Sequence, residues 1–316
     1  MTSGAETVPG DPLSALGSPV ADAEQAINRA ANARRPWYMN VQRRRLGYRE
    51  TPASRAKWMR HMEPNTDTAY DASTSADFAE VDDRVGWVLG YPFALRALGV
   101  GGPDAPVTLL DYGCGPGKVA HRVARDHGLR VIAVDPSAEM LSIASRRHGH
   151  PRVVYHRVRE HRLAFLADSS VDAAMACFVF LALPSLEQVR AIAAEVWRVL
   201  RPGGRFVILD PHSDHVGMQF SAFRSGEPGV SYQDGDPRVA HLLMTNGEWL
   251  ELPDYFWSAH TYQEILAEVG FTDLRTDAPV LADAERPGPA DPRTWDYDVE
   301  REHAPFMLVH GCRPGS

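Results

Sequence analysis

Residues 107–120 read VTLLDYGCGPGKVA, a short apolar run that ends in an acid and passes into three alternating glycines. A glycine-rich turn between a strand and a helix lets backbone approach a ligand closely, because glycine has no Cβ and tolerates positive φ. Two familiar phosphate loops fail on spacing. The dinucleotide fingerprint needs a third glycine three residues after the second; counted from Gly113 and Gly115, that position is Lys118. A P-loop needs four residues between its first glycine and Gly-Lys, then Ser or Thr; Gly113 and Gly117 leave three, and Val119 follows Lys118. What remains is Asp111-x-Gly113-x-Gly115-x-Gly117, with the acid at the carboxyl end of a strand.

Outward from this loop, strand and helix signals alternate. KVAHRVARDHG predicts a helix closed by a glycine, RVIAVD a second strand, and SAEMLSIASRRHG a second helix with Ser137 as N-cap. PRVVYHRV supplies a third strand and VDAAMACFVFLAL a fourth; SLEQVRAIAAEVWRVLRPGG reads as a helix stopped by Pro202 and its glycines, and RFVILDP as a fifth strand. Such alternation implies a parallel sheet with helices on both faces. FTDLRTDAPV and APFMLVHGC read as two further strands, the last antiparallel by a hairpin, after the helical HTYQEILAEVG. Upstream, residues 1–20 have a tail composition. Residues 21–105 read as a helical N-terminal cap, with Val81, Val85, Val88 and Leu89 at helical steps. The remaining 106–316 form the sheet domain, interrupted by an insertion at about 213–260 with the polar loop GEPGVSYQDGDPR, a lid over the site.

The loop and its surroundings resemble the class I S-adenosylmethionine-dependent methyltransferases of the small-molecule, bacterial specialised-metabolism type. Their first motif has the Asp111–Gly117 form; Asp135 in VIAVDPSAEML stands where the family places the acid that grips both ribose hydroxyls, and RVLRPGGRFVILDP is similar to the family's entry into its fifth strand. A carboxylate offers two oxygens to a vicinal diol. The resemblance implies an α/β fold, a seven-stranded Rossmann-like methyltransferase sheet whose terminal strand is antiparallel, with S-adenosyl-L-methionine as cofactor and S-adenosylhomocysteine as product. It implies that Gly113 and Gly115, in a loop with Cys114 and Gly117, carry the methionine amine and carboxylate on backbone, with Asp111 bracing the turn or reaching the amine. Asp135 and Pro136 would meet the ribose, Glu160 the adenine amino group, Cys177 and Phe178 the ligand from the fourth strand, and Tyr70 the amino-acid end.

Methyl transfer from a sulfonium is an in-line displacement, accelerated by a dry, well-aimed site; a base is needed when the acceptor is a hydroxyl or an ammonium and is dispensable for a neutral amine or an electron-rich carbon. LDPHSDHVGM offers His212 first and His215 second as that base. His-x-x-His with acids has the look of a metal pair, but no third ligand of firm spacing accompanies it and no metal is expected. Tyr255, Phe256, Trp257 and His260, with Phe93 and Trp87, are candidates to wall a small aromatic or amphipathic acceptor. Two alternatives stay open at this point: the same cofactor site used for a cyclisation or elimination, and a non-catalytic partner subunit.

Composition bounds the rest. With 33 basic and 41 acidic residues the formal charge is -8, so no electrostatic footprint for nucleic acid exists, and no run is long and apolar enough to span a membrane. Cys114, Cys177 and Cys312 are scattered and unpaired in spacing, and residues 1–25 lack an apolar signal core, which together predict a cytoplasmic address. Homo- or hetero-oligomerisation is left open.

Overall fold

In the computed structural model of the chain, the described residues are Met1, 71–284 and 297–315. The expected tail, the helical reading of residues 22–70 and Tyr70 lie outside them. From Asp71 onward the elements are α1 (Ala72–Ala79), α2 (Arg84–Leu89), α3 (Tyr91–Ala97), β1 (Thr108–Tyr112), α4 (Lys118–His127), β2 (Arg130–Asp135), α5 (Ala138–Arg147), β3 (Val153–Arg157), β4 (Val171–Cys177), α6 (Leu186–Val199) and β5 (Leu200–Pro211). There follow β6 (Phe223–Ser225), β7 (Pro237–Leu243), β8 (Trp249–Tyr255), α7 (Ala259–Val269), β9 (Thr272–Asp277), α8 (Asp298–Glu302) and β10 (Phe306–Cys312).

Seven strands form one sheet in the order β3-β2-β1-β4-β5-β10-β9. The first five are parallel, and β10 runs antiparallel to both β5 and β9. β1 is buried at every position because it sits mid-sheet with helices on both sides. One core cluster joins α2, α3 and α4 to one face through Leu89, Leu95, Val123, Leu109 and Leu209; the other joins α6 and α7 to the opposite face through Val196, Leu266, Tyr112, Ile208 and Phe206. Order reverses between β1 and β4, the switch point beyond whose carboxyl ends open sheets of this kind bind ligands. Among the described residues no helix is long and apolar enough to cross a membrane.

Four local expectations are corrected. The helix before β5 ends at Val199, ahead of Pro202: Leu200 is already extended, pairs with Val171, and RPGG belongs to the strand, where the Gly203 amide donates to Arg313 and the Arg313 amide returns to Gly204. The helical pattern through Val81, Val85 and Leu89 is broken, because Val81 bridges Met244 and the Asp82 amide donates to the Leu243 carbonyl; α3 starts anew with Pro92 in its first turn. The last two strands are joined by the long connection 278–305, with no tight hairpin, and β10 inserts between β5 and β9. Residues 213–260, expected as a loop-rich segment, contain a separate antiparallel sheet β6-β7-β8.

That small sheet is fixed by a buried ion pair. Arg238 Nε on β7 donates to Asp254 Oδ1 on β8 at 2.8 Å, the side chains being 3% and 1% exposed, and Ser225 Oγ on β6 donates to the other oxygen. Removing one partner strands a buried charge, which costs far more than the pair contributes against apolar residues. Arg238→Ala is expected to lower the unfolding free energy by about 3–5 kcal/mol in urea denaturation, while Arg147→Ala, which breaks the exposed pair with Glu80, changes it by less than about 1 kcal/mol.

Candidate active site

The site is built where β1 and β2 release the chain. Gly113 adopts φ 75° and Gly117 φ 80°, conformations that a side chain tolerates poorly, and neither has room for one. A Cβ on Gly113 would sit 2.4 Å from Val179, and one on Gly117 2.5 Å from the Tyr155 hydroxyl. Gly115, at φ 50°, faces differently: the nearest atom to its missing Cβ is Phe78 of α1 at 3.7 Å. The loop is thus pressed against the protein at two glycines and roomier at the middle one.

Two carboxyls flank it. Asp135 is buried; Oδ2 accepts from the Gly115 amide at 2.8 Å and Oδ1 from the Ser137 amide at 2.9 Å, so the end of β2 sets the shape of the β1–α4 loop. Its acidity is weakened to about 6 by burial, against the opposing effect of the two amides. Asp111 is buried as well, and its Oδ2 has no hydrogen-bond partner among the described residues. Burial first, and the Asp135 charge second, push it up to about 7. A buried carboxylate oxygen without a donor is costly, so the pair is a site that favours an incoming cation or hydrogen-bond donor. This set of acceptors fits S-adenosylmethionine: Asp135 retains lone pairs for a diol beyond its two amides, and Asp111 offers an unsatisfied oxygen to an ammonium.

The other expected positions are placed as follows. Cys114 is buried in the loop and its thiol pKa is raised by burial; Pro136 follows Asp135, its carbonyl accepting from Arg157 Nε. Glu160 is exposed, at φ 50° in the turn after β3. Cys177 closes β4, and Phe178 turns left-handed at φ 58°, its amide donating to Leu209 of β5. Tyr112 faces the α6–α7 core, away from the loop.

From Phe178 a row of rings crosses the carboxyl edge. Phe306 meets it at 5.2 Å, Phe223 stacks on Phe306 at 5.1 Å, Phe220 on Phe223 at 5.1 Å, and on the other side Tyr91 meets Phe178 at 6.1 Å with Trp87 beyond it. Of the aromatics expected to line an acceptor, Trp87 thus joins this row. Trp257 is buried with its indole N–H on the Leu183 carbonyl, Phe256 stacks on Tyr232, and Tyr255 packs against the α6–α7 core. His260 is exposed beside Glu264, and Phe93 lines a cavity of about 980 Å³ at the opposite, amino end of β5. His212 and His215 stand just past β5, with rings stacked at 4.5 Å.

Two further acids are buried near this edge; LDPHSDHVGM offered Asp210 to the sequence reading, whereas Glu300 escaped it. Asp210 accepts the Tyr262 hydroxyl at 2.6 Å, and burial lifts it to about 7. Glu300 of α8 is fully buried, one oxygen holding the Ser221 amide at 2.7 Å beside the Phe220–Phe223 stack, the other without a partner among the described residues. Glu300 lies in DYDVEREH, a stretch that reads as solvated; only the fold removes it from water.

The comparisons with known proteins agree with this geometry. The sequence profile of a methyltransferase domain matches residues 109–204, from β1 into β5. N-demethylindolmycin N-methyltransferase of Streptomyces griseus is 36% identical over 248 residues, 77% of this chain and 98% of that protein. The S-adenosyl-L-methionine-dependent Diels-Alderase iliD of Neonectria sp. is 30% identical over 198 residues, 60% of this chain and 66% of its own length. In structure, the CcbJ methyltransferase from Streptomyces caelestis superposes with a TM-score of 0.53 at 16% identity, covering 79% of this chain and all of that one. The sheet order and this superposition define a Rossmann-like methyltransferase fold. The chain belongs to the class I S-adenosylmethionine-dependent methyltransferases.

A pH dependence follows from the two raised acids. Their folded-state values lie above the usual carboxylate value near 4, so the folded chain binds more protons than the unfolded one between about 4 and about 7. The stabilisation by these protons is complete at the acid end and lost as pH rises through that window. Asp111→Asn, which cannot ionise, is expected to flatten the fall in melting temperature of the ligand-free protein between pH 5 and 8, read by circular dichroism at matched ionic strength.

Proposed function

We propose that this enzyme methylates a nitrogen of a small specialised metabolite, with the cofactor seated over Gly115 between Asp111 and Asp135. The observation that carries the seating is the pair of buried carboxyls at the ends of β1 and β2, one gripping the glycine loop and one with an unsatisfied oxygen. The choice of nitrogen rests on the printed activity of the Streptomyces griseus relative, which this chain matches over almost its whole length. S-adenosylmethionine supplies an electrophilic methyl on a positively charged sulfur.

The chain's own residues do the rest. Asp135 holds the ribose diol with the lone pairs its two amides leave, and Asp111 takes the ammonium of the methionine moiety. Gly113 and Gly115, with Cys114 and Gly117 shaping the turn, present backbone to the amino-acid end; Pro136 lies along the ribose, Cys177 and Phe178 close the site from β4, and Glu160 and Tyr70 are assigned to the adenine and amino-acid ends. The ring row from Trp87 to Phe220 forms an apolar, water-poor wall for the acceptor, which strengthens charge interactions within it and aligns the nucleophile with the methyl group. In domain terms, residues 21–105 precede the methyltransferase domain at 106–316, and the segment around 213–260 covers the acceptor as a lid. α1 leans on the glycine loop through Phe78 and is followed at once by Val81 and Asp82, which bond to the end of β7; this link supports a shared cover. A cytoplasmic location fits the scattered free cysteines.

A second reading is favoured by the Diels-Alderase relative: the same cofactor seat serving a ring closure without methyl transfer. The two separate cleanly. Incubation with methyl-deuterated S-adenosylmethionine and N-demethylindolmycin is expected to add one labelled methyl to the acceptor with one S-adenosylhomocysteine per turnover; cofactor binding without S-adenosylhomocysteine release, over a panel of small amines, contradicts methyl transfer. Asp135→Ala is expected to weaken S-adenosylhomocysteine binding by about 1.5–3 kcal/mol in calorimetry, the loss of hydrogen bonds to a charged group, and an unchanged dissociation constant removes the ribose assignment.

A further inference from the structure

Three imidazoles gather past the carboxyl end of β5. His212 and His215 stack at 4.5 Å with 28° between planes, and His303, at the end of α8, meets His215 edge-on at 5.3 Å. His215 is half-buried and lies 6.4 Å from Phe220, the end of the ring row. His212 stays in register with the sheet because its amide donates to the Pro305 carbonyl beside β10.

Backbone partners give the two rings opposite tautomers. His215 Nδ1 lies 2.8 Å from the Ala304 carbonyl oxygen. A carbonyl only accepts, so Nδ1 carries the hydrogen and the neutral ring presents the bare lone pair of Nε2. His212 Nδ1 instead receives the Asp214 amide at 3.2 Å. An amide N–H only donates, so this nitrogen is the bare one and the hydrogen of the neutral ring sits on Nε2. Burial, then the adjacent His215, lowers the pKa of His212, with Asp214 opposing; His212 therefore stays neutral and keeps the amide. No hydrogen-bond partner of His215 Nε2 occurs among the described residues.

We propose that His215, and not His212, is the general base, its Nε2 receiving the proton of the acceptor nucleophile while His212 Nε2–H donates a hydrogen bond that orients the acceptor. The assignment rests on the methyl-transfer reading above and reverses the order that the sequence suggests. The step balances for an acceptor nitrogen that arrives protonated: His215 Nε2 takes the proton, the N–H pair becomes the lone pair that bonds to the methyl carbon, and the carbon–sulfur pair returns to sulfur, neutralising it. The proton passes from His215 Nε2 to water at the half-buried rim. The charged and titratable groups facing His215 are His212 and Asp214 from its own turn and His303 from α8. The Ala304 carbonyl stabilises the Nδ1–H side of the imidazolium that forms, as an orienting acceptor does in other His-based sites.

Histidine nitrogen-15 spectra of the acceptor-free protein at pH 8 read the tautomers directly: His215 is expected with hydrogen on Nδ1 and His212 with hydrogen on Nε2. With N-demethylindolmycin as acceptor, His215→Asn, which keeps an N–H for the Ala304 carbonyl but has no basic nitrogen, is expected to lower kcat by about 10²–10⁴-fold with KM and the S-adenosylhomocysteine Kd within about twofold of wild type. His212→Asn is expected to lower kcat by less than about tenfold. Hydrogen on His215 Nε2, or wild-type turnover by His215→Asn, overturns the assignment. If the wild-type protein does not methylate that acceptor, the acceptor reading fails separately, and diethyl pyrocarbonate decides the base: carbethoxylation of His215 at Nε2 ahead of His212 supports it, and equal or reversed rates overturn it.

Discussion

The bond between the Gly115 amide and the Asp135 carboxylate joins the ends of β1 and β2, and the geometry of the site depends on it. Parallel neighbours deliver both chain ends to the same edge of the sheet, but the sheet alone does not say how the loop between β1 and α4 turns. Asp135 does so by accepting from the loop on one oxygen and from the first residue past β2 on the other. The carboxylate is thereby buried at a cost in acidity, and Asp111 beside it is buried with an oxygen unsatisfied. Leaving a buried carboxylate oxygen without a donor is costly, and a group that brings hydrogen-bond donors or positive charge relieves that cost.

Around this cradle the chain places two apolar layers with different tasks. The faces of the sheet are covered by helices, while the carboxyl edge carries rings contributed from four separated segments: α2–α3, the end of β4, the β6 region and the start of β10. β10 matters here because it runs antiparallel to β5, so its first residue, Phe306, lands opposite Pro211 at the ligand edge. The small sheet is held by its own buried ion pair, and the end of its β7 bonds to residues 81 and 82 between α1 and α2.

Much of this was legible in the residues. β1 through α5 obeys local rules without conflict: apolar strand, acid, glycines, a helix closed at Gly128, a second strand and an N-cap at Ser137 whose hydroxyl accepts from the Met140 amide. Asp111 and Asp135 were readable because each sits at the last turn of a strong strand signal. The small sheet was not, although Asn246-Gly247 between VAHLLM and WLELPDY is a hairpin signal; Pro237 and Pro253 interrupt the strand pattern on either side of it. The break at Val81 was hidden because β-branched residues at helical spacing look the same whether they continue a helix or bridge to Met244. Glu300 and the tautomers of His212 and His215 were beyond sequence altogether, since they depend on which distant carbonyl or amide the fold brings alongside.

The central claim is that this edge binds an adenosyl compound through ionised Asp111 and Asp135. Calorimetric titration of S-adenosylhomocysteine across pH 5.5 to 8.5 tests it most directly. One site per chain is expected, tight above pH 7.5, weakening by up to about tenfold per pH unit between about 7 and about 6 as Asp111 takes up a proton, and more steeply below about 6 as Asp135 follows. Affinity independent of pH, or no saturation by S-adenosylhomocysteine where a dinucleotide binds instead, contradicts the account.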